Sequence, residues 1–574
     1  MRLLFSQCKR MQLDPGFHVS RYYGPNLTCP RMHETVRPTA YNHLLVWLVL
    51  LPEPDYLGFP TRVPQSMPAS HPMEGHAQVK SLLSVNSHEL DAVLECARSA
   101  AKAYCNYGRS EVDYIVRAVA DAAGRNARQL AEKAVRETGF GVIEDKAAKN
   151  EALSYGFVRE YGHFDFATHR VDEGKKLLLN PIPAGVILAV TPSTSPVANL
   201  YFKVLSSLLT RNAVVISPHP AAVNTGIEAA RILGDAAIQA GAPEGVVQIL
   251  EKPSVPLVEA AMSDPRVNLI LATGGSAVVR AAYRSGTPAI GVGPGNAPVL
   301  VDETADLERA ADEILASKTF DNSVLCTAES VLIVVESVAA RLNELLGRRG
   351  AYICNSDETA RLRRYMYPGG KFNTEVVGRP AQEIARSAGI NVPAEKRLLL
   401  APFTRLHGDE PFTHEKLSPV LATFVVTNFH EALSAAESLI DIVGVGHSAV
   451  IHSCDPQRVL DFTYRLPVHR VAVNVGGSLG NAGVGTALAV TMSVGTGFVG
   501  GSSLGENLSP DHLVQWKRAA YALDAEFPPF DSLVPNRLAS HGRSGLTLAL
   551  DDGVVREELR RLIVEELRGM IRNG

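Results

Sequence analysis

Between Ala184 and Val301 the chain repeats one unit several times: a short run of β-branched or aliphatic side chains, a turn rich in Pro, Ser, Gly or Thr, then a helix-length stretch with one apolar face. Continuous apolar runs this short fit strands buried on both faces, and such strands belong to parallel sheets covered by helices. The pattern therefore predicts a doubly wound α/β domain. Its strands are expected at Val186–Val190, Ala213–Ser217, Val246–Leu250 and Asn268–Ala272, with crossover helices over Val197–Thr210 and Asn224–Ala240. Ligands of such sheets sit beyond the carboxyl ends of the strands. The loops that leave those ends are Thr191-Pro192-Ser193, Ser217-Pro218-His219-Pro220 and Thr273-Gly274-Gly275-Ser276, and they should line one crevice. The last is not the GxGxxG fingerprint, but Gly274 and Gly275 precede a helical stretch, where backbone amides can face a diphosphate.

A cysteine follows this stretch, in Phe320-Asp321-Asn322-Ser323-Val324-Leu325-Cys326-Thr327-Ala328-Glu329. An isolated intracellular cysteine is ordinarily small core filling. A thiol placed after a dinucleotide-type α/β region points instead to covalent redox chemistry on an aldehyde. The other cysteines, Cys8, Cys29, Cys96, Cys105, Cys354 and Cys454, bring the count to seven, with no CxxC and no Cys/His ligand spacing. That argues for reduced thiols in a cytoplasm and against a disulfide framework or a metal site.

At 574 residues, 46% hydrophobic and 20% charged, the chain is long enough for more than one core. A formal charge of −4 gives no electrostatic basis for binding nucleic acid or an anionic membrane. Residues 1–72 are rich in Pro, His and Tyr without a sustained period and read as a disordered extension ahead of Met73. Their apolar run Leu44–Leu51 is far shorter than the roughly 20 residues that span a bilayer. It also begins too late for a signal peptide and is followed by Pro52-Glu53-Pro54. Helical spacing resumes from Ser87 to Arg125, with Leu90, Val93, Leu94, Ala97 and Ala101 on one stripe. After Cys326 a second α/β unit is expected, with strands at Val331–Val335 and Ala422–Val426, and Val471–Val475 reads as a strand returning to the first domain. Ser509-Pro510-Asp511-His512 has the form of an N-cap with proline at the first helical position. Val555, Leu559, Leu562 and Ile563 mark one face of a C-terminal helix.

Several stretches together resemble the aldehyde dehydrogenase superfamily, in particular its CoA-acylating branch, which includes the aldehyde dehydrogenase half of bifunctional aldehyde/alcohol dehydrogenases. They are Glu137-Thr138-Gly139-Phe140-Gly141 with Glu144-Asp145-Lys146, Ser217-Pro218-His219-Pro220, Leu271-Ala272-Thr273-Gly274-Gly275, Gly291-Val292-Gly293-Pro294-Gly295-Asn296-Ala297-Pro298, Lys318-Thr319-Phe320-Asp321-Asn322 and Gly444-Val445-Gly446-His447-Ser448. The resemblance runs from about Leu94 to about Tyr521.

It implies a dinucleotide-binding domain over residues 73–301, a catalytic domain over 302–466, and a return to the first domain with an oligomerisation element over 467–530, followed by a tail over 531–574. It makes Cys326 the nucleophile, places His447 near the thiol as a proton-exchanging group, and assigns Glu415 to the nicotinamide ribose. Thr191, Pro192, Ser217, His219, Thr273, Gly274, Gly275 and Gly293 are expected around the cofactor. Hydrolytic members carry a glutamate in the segment matching Gly291–Pro298, where it activates water; no acidic residue occurs there. Without that base, coenzyme A becomes the competent acceptor of the acyl group. One departure is Ser195, where the superfamily usually has an asparagine that stabilises an oxyanion; losing such a donor costs about 2.7 to 4 kcal/mol. The expected activity is NAD-dependent, CoA-acylating oxidation of a short aldehyde by a cytoplasmic homo-oligomer, dimer or tetramer. Acetaldehyde leads, with propanal, sulfoacetaldehyde and succinate semialdehyde open. A free-standing chain would lack the alcohol dehydrogenase half, so another enzyme would supply the aldehyde. A hydrolytic aldehyde dehydrogenase and a catalytically silent scaffold of the same fold are the alternatives.

Overall fold

The computed structural model describes residues 75–530, with side chains from residue 88. The extension expected over 1–72 and the helix expected over 531–574 lie outside those residues. The helical region expected from Ser87 to Arg125 is two helices, Gly75–Tyr104 and Arg109–Arg125, separated at Asn106-Tyr107-Gly108. Four of the five stripe residues, Leu90, Leu94, Ala97 and Ala101, are buried, and Val93 packs against the same core.

Strands β1 (Arg170–Asp172) and β2 (Leu177–Pro183) form an antiparallel pair. The next five, β3 (Val186–Val190), β4 (Ala213–Ser217), β5 (Val247–Ile249), β6 (Leu269–Thr273) and β7 (Ala289–Val292), build a parallel sheet in the order β5-β4-β3-β6-β7. Every residue of β3 and β4 is buried, as continuous apolar runs demand. The crossover helices are Pro196–Leu209, with proline at its first turn, and Val223–Gln239. The predicted strands and helices are thus recovered within a residue at most ends. The short β7, shared with the Gly-rich stretch, was not separately expected.

A buried lysine fixes the carboxyl ends of the two central strands. Lys203 donates to the Val190 carbonyl at 2.6 Å, the Leu271 carbonyl at 3.1 Å and Thr273 Oγ1 at 3.0 Å. Burial holds its ammonium well below the ordinary lysine range. The loops after β3 and β6 therefore leave the sheet from clamped positions.

The second sheet comprises β8 (Ala297–Val301), β9 (Glu329–Val335), β10 (Ala351–Ile353), β11 (Leu398–Pro402), β12 (Val420–Val426), β13 (Ala449–His452) and β14 (Val471–Val473), all parallel, in the order β10-β11-β12-β9-β8-β13-β14. Two boundaries differ from the sequence reading. β8 belongs to this sheet, so the crossing from one sheet to the other falls between Val292 and Ala297, not at Asp302. β14 pairs with β13 here and does not return to the first sheet, so the second sheet extends past Leu466. An apolar run shows that a strand is buried; it does not show which of two similar sheets receives it. The expected cap at Ser509 is a single 3₁₀ turn, Pro510–Leu513, leading into β15 (Val514–Ala520). β15 pairs antiparallel with β2 and completes a three-stranded sheet β1-β2-β15.

Candidate active site

Cys326 lies in the loop between helix Leu307–Thr319 and β9, just after three consecutive left-handed residues, Asp321 (φ 48°), Asn322 (φ 50°) and Ser323 (φ 62°). Side chains other than glycine resist this conformation, Asp and Asn least, so the loop must be held by its surroundings. The hold is explicit. The Asp321 carboxylate accepts from Val142 N at 2.7 Å, Lys146 Nζ at 3.0 Å and Lys149 Nζ at 2.5 Å. The Asp321 N–H donates to Asp145 Oδ2 at 2.7 Å, and Asn322 Nδ2 donates to the Gly378 carbonyl at 2.9 Å. The Glu144-Asp145-Lys146 and Asp321-Asn322 motifs, remote in sequence, are therefore one device. Lys146 and Lys149 are one turn apart on helix Ile143–Ala152 and reach the same oxygen.

The thiol is half-buried in a cleft of about 240 Å³ that Pro192, Ser195, Gly293 and Glu415 also line. A second crevice of about 360 Å³ takes in Thr191 and Ser217, and His219, Thr273, Gly274 and Gly275 line both. The helix after the glycine pair, Ser276–Arg284, starts as expected. The Glu137 carboxylate accepts from Asn224 N at 2.8 Å and Thr225 N at 2.7 Å, which caps helix Val223–Gln239 next to the His219 loop. The strand-end residues singled out in the sequence are thus brought together.

His447 is placed differently. It is fully buried and does not line the cleft. Its Nδ1 pairs with Ser448 Oγ at 2.9 Å, and its Nε2 has no partner. A Cβ on Gly295 would stand 2.0 Å from the Cys326 carbonyl oxygen and 3.2 Å from His447 Cε1, so only glycine lets these three segments close on one another. Burial, aided by the neighbouring Arg470 charge, pushes the His447 imidazole down to about 3.

Burial and the Glu415 carboxylate push the Cys326 thiol up to about 12, against the opposing influence of Arg470. These surroundings favour the protonated thiol, the reverse of the activation that a nucleophilic cysteine needs near neutrality. Glu415 is pushed up to about 8 by burial; Lys318, Lys416 and the Gly295 N–H act against that rise. Lys318 is itself brought down to about 8 by burial, against the pull of Glu329 and Glu415.

Sequence reasoning missed Arg470, Asn199 and Lys149. Arg470 is buried without a carboxylate partner, donating to the carbonyls of His447 at 2.7 Å and Gly505 at 3.0 Å, and also to that of Gly495. Asn199 lines the cleft and donates to the Met492 carbonyl at 2.9 Å, while its Oδ1 has no partner. Only the paired spacing of Lys146 and Lys149 beside a helix-forming stretch was visible beforehand. Among the described residues there is no group of three or more His, Cys, Asp or Glu suited to a metal ion, and no helix long and apolar enough to cross a membrane.

Two covered parallel sheets with a cysteine cleft at the carboxyl ends of the first define an α/β architecture with its crevice where ligands of such sheets sit. The aldehyde dehydrogenase family model matches residues 61–355, and the chain belongs to that family. It is 38% identical over 500 residues to a bifunctional aldehyde-alcohol dehydrogenase of Escherichia coli, covering 85% of this chain and 55% of that protein. The chain therefore spans about half the length of that relative. Among solved structures it resembles an acetylating aldehyde dehydrogenase from Geobacillus thermoglucosidasius, at 36% identity and TM-score 0.75, covering 77% of this chain and 98% of the other. It also resembles a propionaldehyde dehydrogenase from Rhodopseudomonas palustris with bound CoA and an acylated cysteine, at 28% identity and TM-score 0.68, covering 75% and 97%.

Proposed function

We propose that the chain oxidises a short, uncharged aldehyde with NAD and transfers the acyl group to coenzyme A through a thioester on Cys326. The observation that carries this reading is the lining of the thiol cleft, in which Glu415 is the one carboxyl group among the described residues. Water attack on a thioester needs a positioned general base, worth roughly 10² to 10⁴ in rate. Gly291–Pro298 offers none, and Glu415, held up to about 8, is largely protonated at neutral pH. A thiol acceptor ionises to a useful extent by itself, so CoA is favoured over water.

The second crevice suits a dinucleotide. An added Cβ at Gly275 would meet nothing within 4 Å, which leaves room for a diphosphate to approach the backbone. A bound nicotinamide would supply the hydride acceptor. Among the described residues no Arg or Lys lines this crevice and Glu259 does, which disfavours the 2′-phosphate of NADP. The thiol cleft likewise has no Arg or Lys in its lining, while Leu325, Leu417, Ala482, Met492 and Val494 supply an apolar wall. A sulfonate or carboxylate on the aldehyde would need a cation there, so acetaldehyde or propanal is favoured over sulfoacetaldehyde or succinate semialdehyde. Within this reading His447, neutral and with its Nε2 unpartnered, is a transient proton acceptor behind Cys326, and Glu415 holds the nicotinamide ribose. We also infer a cytoplasmic homo-oligomer built through the three-stranded sheet, in which β15 has one unpaired edge.

Rapid mixing tests the reaction. With NAD and acetaldehyde but no CoA, a burst of NADH close to one per active site should precede very slow turnover, and CoA should restore steady turnover with a thioester product. Steady NADH without CoA, with free acid accumulating, would replace this reading with the hydrolytic one. Absence of any NADH with several aldehydes would favour the silent scaffold.

A further inference from the structure

Ser195 is the N-cap residue of helix Pro196–Leu209, yet its side chain does not cap that helix, the usual work of serine at this position. Its hydroxyl oxygen instead accepts from Lys149 Nζ at 2.6 Å, and no described residue accepts its hydrogen. Lys149 is held in turn by Asp321 Oδ2 at 2.5 Å, the oxygen that also binds Lys146 at 3.0 Å. The Lys149 and Asp321 side chains are 4% and 0% exposed, so this pair is not a surface contact.

A serine hydroxyl is a free rotor with a shorter reach than an amide. Here one of its lone pairs is committed to Lys149, which leaves the O–H as a donor, and a cationic partner polarises that O–H further. Ser195 lines the cleft alongside Cys326. Asp321 belongs to the same strained loop as Cys326, five residues before it, so donor and thiol are tied to one ion pair.

We propose that Lys149 and Asp321 are positioning residues that aim the Ser195 hydroxyl at the oxygen of an aldehyde adding to Cys326. In that addition a sulfur–carbon bond forms, the carbonyl π bond breaks with its electron pair moving to oxygen, and the sulfur–hydrogen bond breaks with its proton passing to His447, the proton acceptor of the functional reading. Ser195 donates a hydrogen bond to that oxygen. The inference rests on the functional reading above and makes Ser195 a working replacement for the family asparagine.

The test needs no cofactor for its first readout: acetaldehyde protection of Cys326 against iodoacetamide, followed by intact mass. Ser195→Ala and Lys149→Met should each raise the half-protecting acetaldehyde concentration by about tenfold, the worth of one hydrogen bond to a charged or polarised oxygen. The NADH burst rate should fall further, by about 10²-fold. Because Lys149 acts through Ser195, the double variant should be within about threefold of Ser195→Ala alone. Adding Ser195→Asn to Lys149→Met should recover protection, since an amide carries its own directed donor.

Lys149→Met with wild-type protection and burst, or losses that multiply in the double variant, would overturn the proposal. Should Lys149→Met not fold, Ser195→Ala, which leaves the Lys149–Asp321 pair intact, decides alone: wild-type protection in that variant overturns it. A wild-type protein with neither protection nor burst would remove the functional reading and this inference together, whereas a normal wild-type burst with an insensitive Lys149 removes this inference only.

Discussion

The two crevices around the thiol are built in opposite ways. The crevice proposed for the dinucleotide is walled by strand-end loops with their prolines and glycines and by Val255, Val258, Glu259 and Met262 of one helix, and among the described residues it has no Lys or Arg in its lining. The thiol cleft is lined by the half-buried Glu415 and backed by the buried ionisable groups Lys318, Glu329, Lys416, His447 and Arg470, drawn from segments up to about 150 residues apart. In the proposed reading the cofactor is bound by backbone and shape. The thiol is surrounded by charges whose desolvation displaces their proton affinities, a recurrent mark of reactive sites.

The sharpest break between the two regions should come from Cys326→Ala. It should abolish aldehyde oxidation, by more than about 10³-fold, while NAD affinity measured by fluorescence titration stays within a few fold. Parallel loss of cofactor binding would mean the crevices are not separable.

Gly295→Ala comes next. Its Cβ would strike the Cys326 carbonyl, so the loop must shift, and over-packing of this kind costs about 1 to 3 kcal/mol. Both a lowered melting temperature and a burst slowed by more than about tenfold are expected, since an ångström of displacement can cost about 10² in rate. A normal burst would show that the thiol tolerates displacement.

The pH dependence of stability separates the buried carboxyl from the buried imidazole. Glu415 has its folded-state value raised from 4.5 to about 8, so the folded protein binds more protons than the unfolded chain in that window, and stability falls as pH rises through it. His447 has its value lowered from 6.5 to about 3, so there the unfolded chain binds more protons, and stability falls as pH drops below 6.5. Glu415→Gln should therefore gain stability relative to the parent between pH 5 and 8, by at most about 1.4 kcal/mol per pH unit for one fully linked proton. His447→Gln should lose less than the parent on acidification. Denaturant titrations across pH check both, and unchanged pH profiles would show that neither group keeps its shifted state. A consequence for kinetics is that an acidic limb near pH 6.5 would not belong to His447.

The smallest effect concerns the cofactor crevice. Glu259 is exposed, so Glu259→Gln should narrow the preference for NAD over NADP by only roughly two- to fivefold, as expected for a solvent-screened charge. A larger change, measured as the ratio of kcat/KM for the two cofactors, would place that carboxylate against the ribose.

The first sheet could be read directly because its signals are local. A five-residue apolar run, a Pro- or Gly-containing turn and an amphipathic stretch are dictated by neighbours in sequence, and β3 and β4 end where those signals place them. Sheet membership was not legible for Ala297–Val301 or Val471–Val473, since both are ordinary buried-strand runs and pairing partners are chosen by long-range packing. The same limit separates Cys326, identified by its motif, from its ionisation, which depends on Glu415 and Arg470 some 90 and 140 residues away.

Composition, period and motif by themselves determined the α/β class, the family and the strand-end loops that line the two crevices, because each rests on residue type at short spacing. Only the tertiary structure decided that His447 is buried outside the cleft, that the surroundings of Glu415 raise its proton affinity, and that Ser195 is bonded to Lys149. Burial, proton affinity and the direction of a hydroxyl are properties of what surrounds a side chain, and those surroundings are assembled only when distant segments pack together.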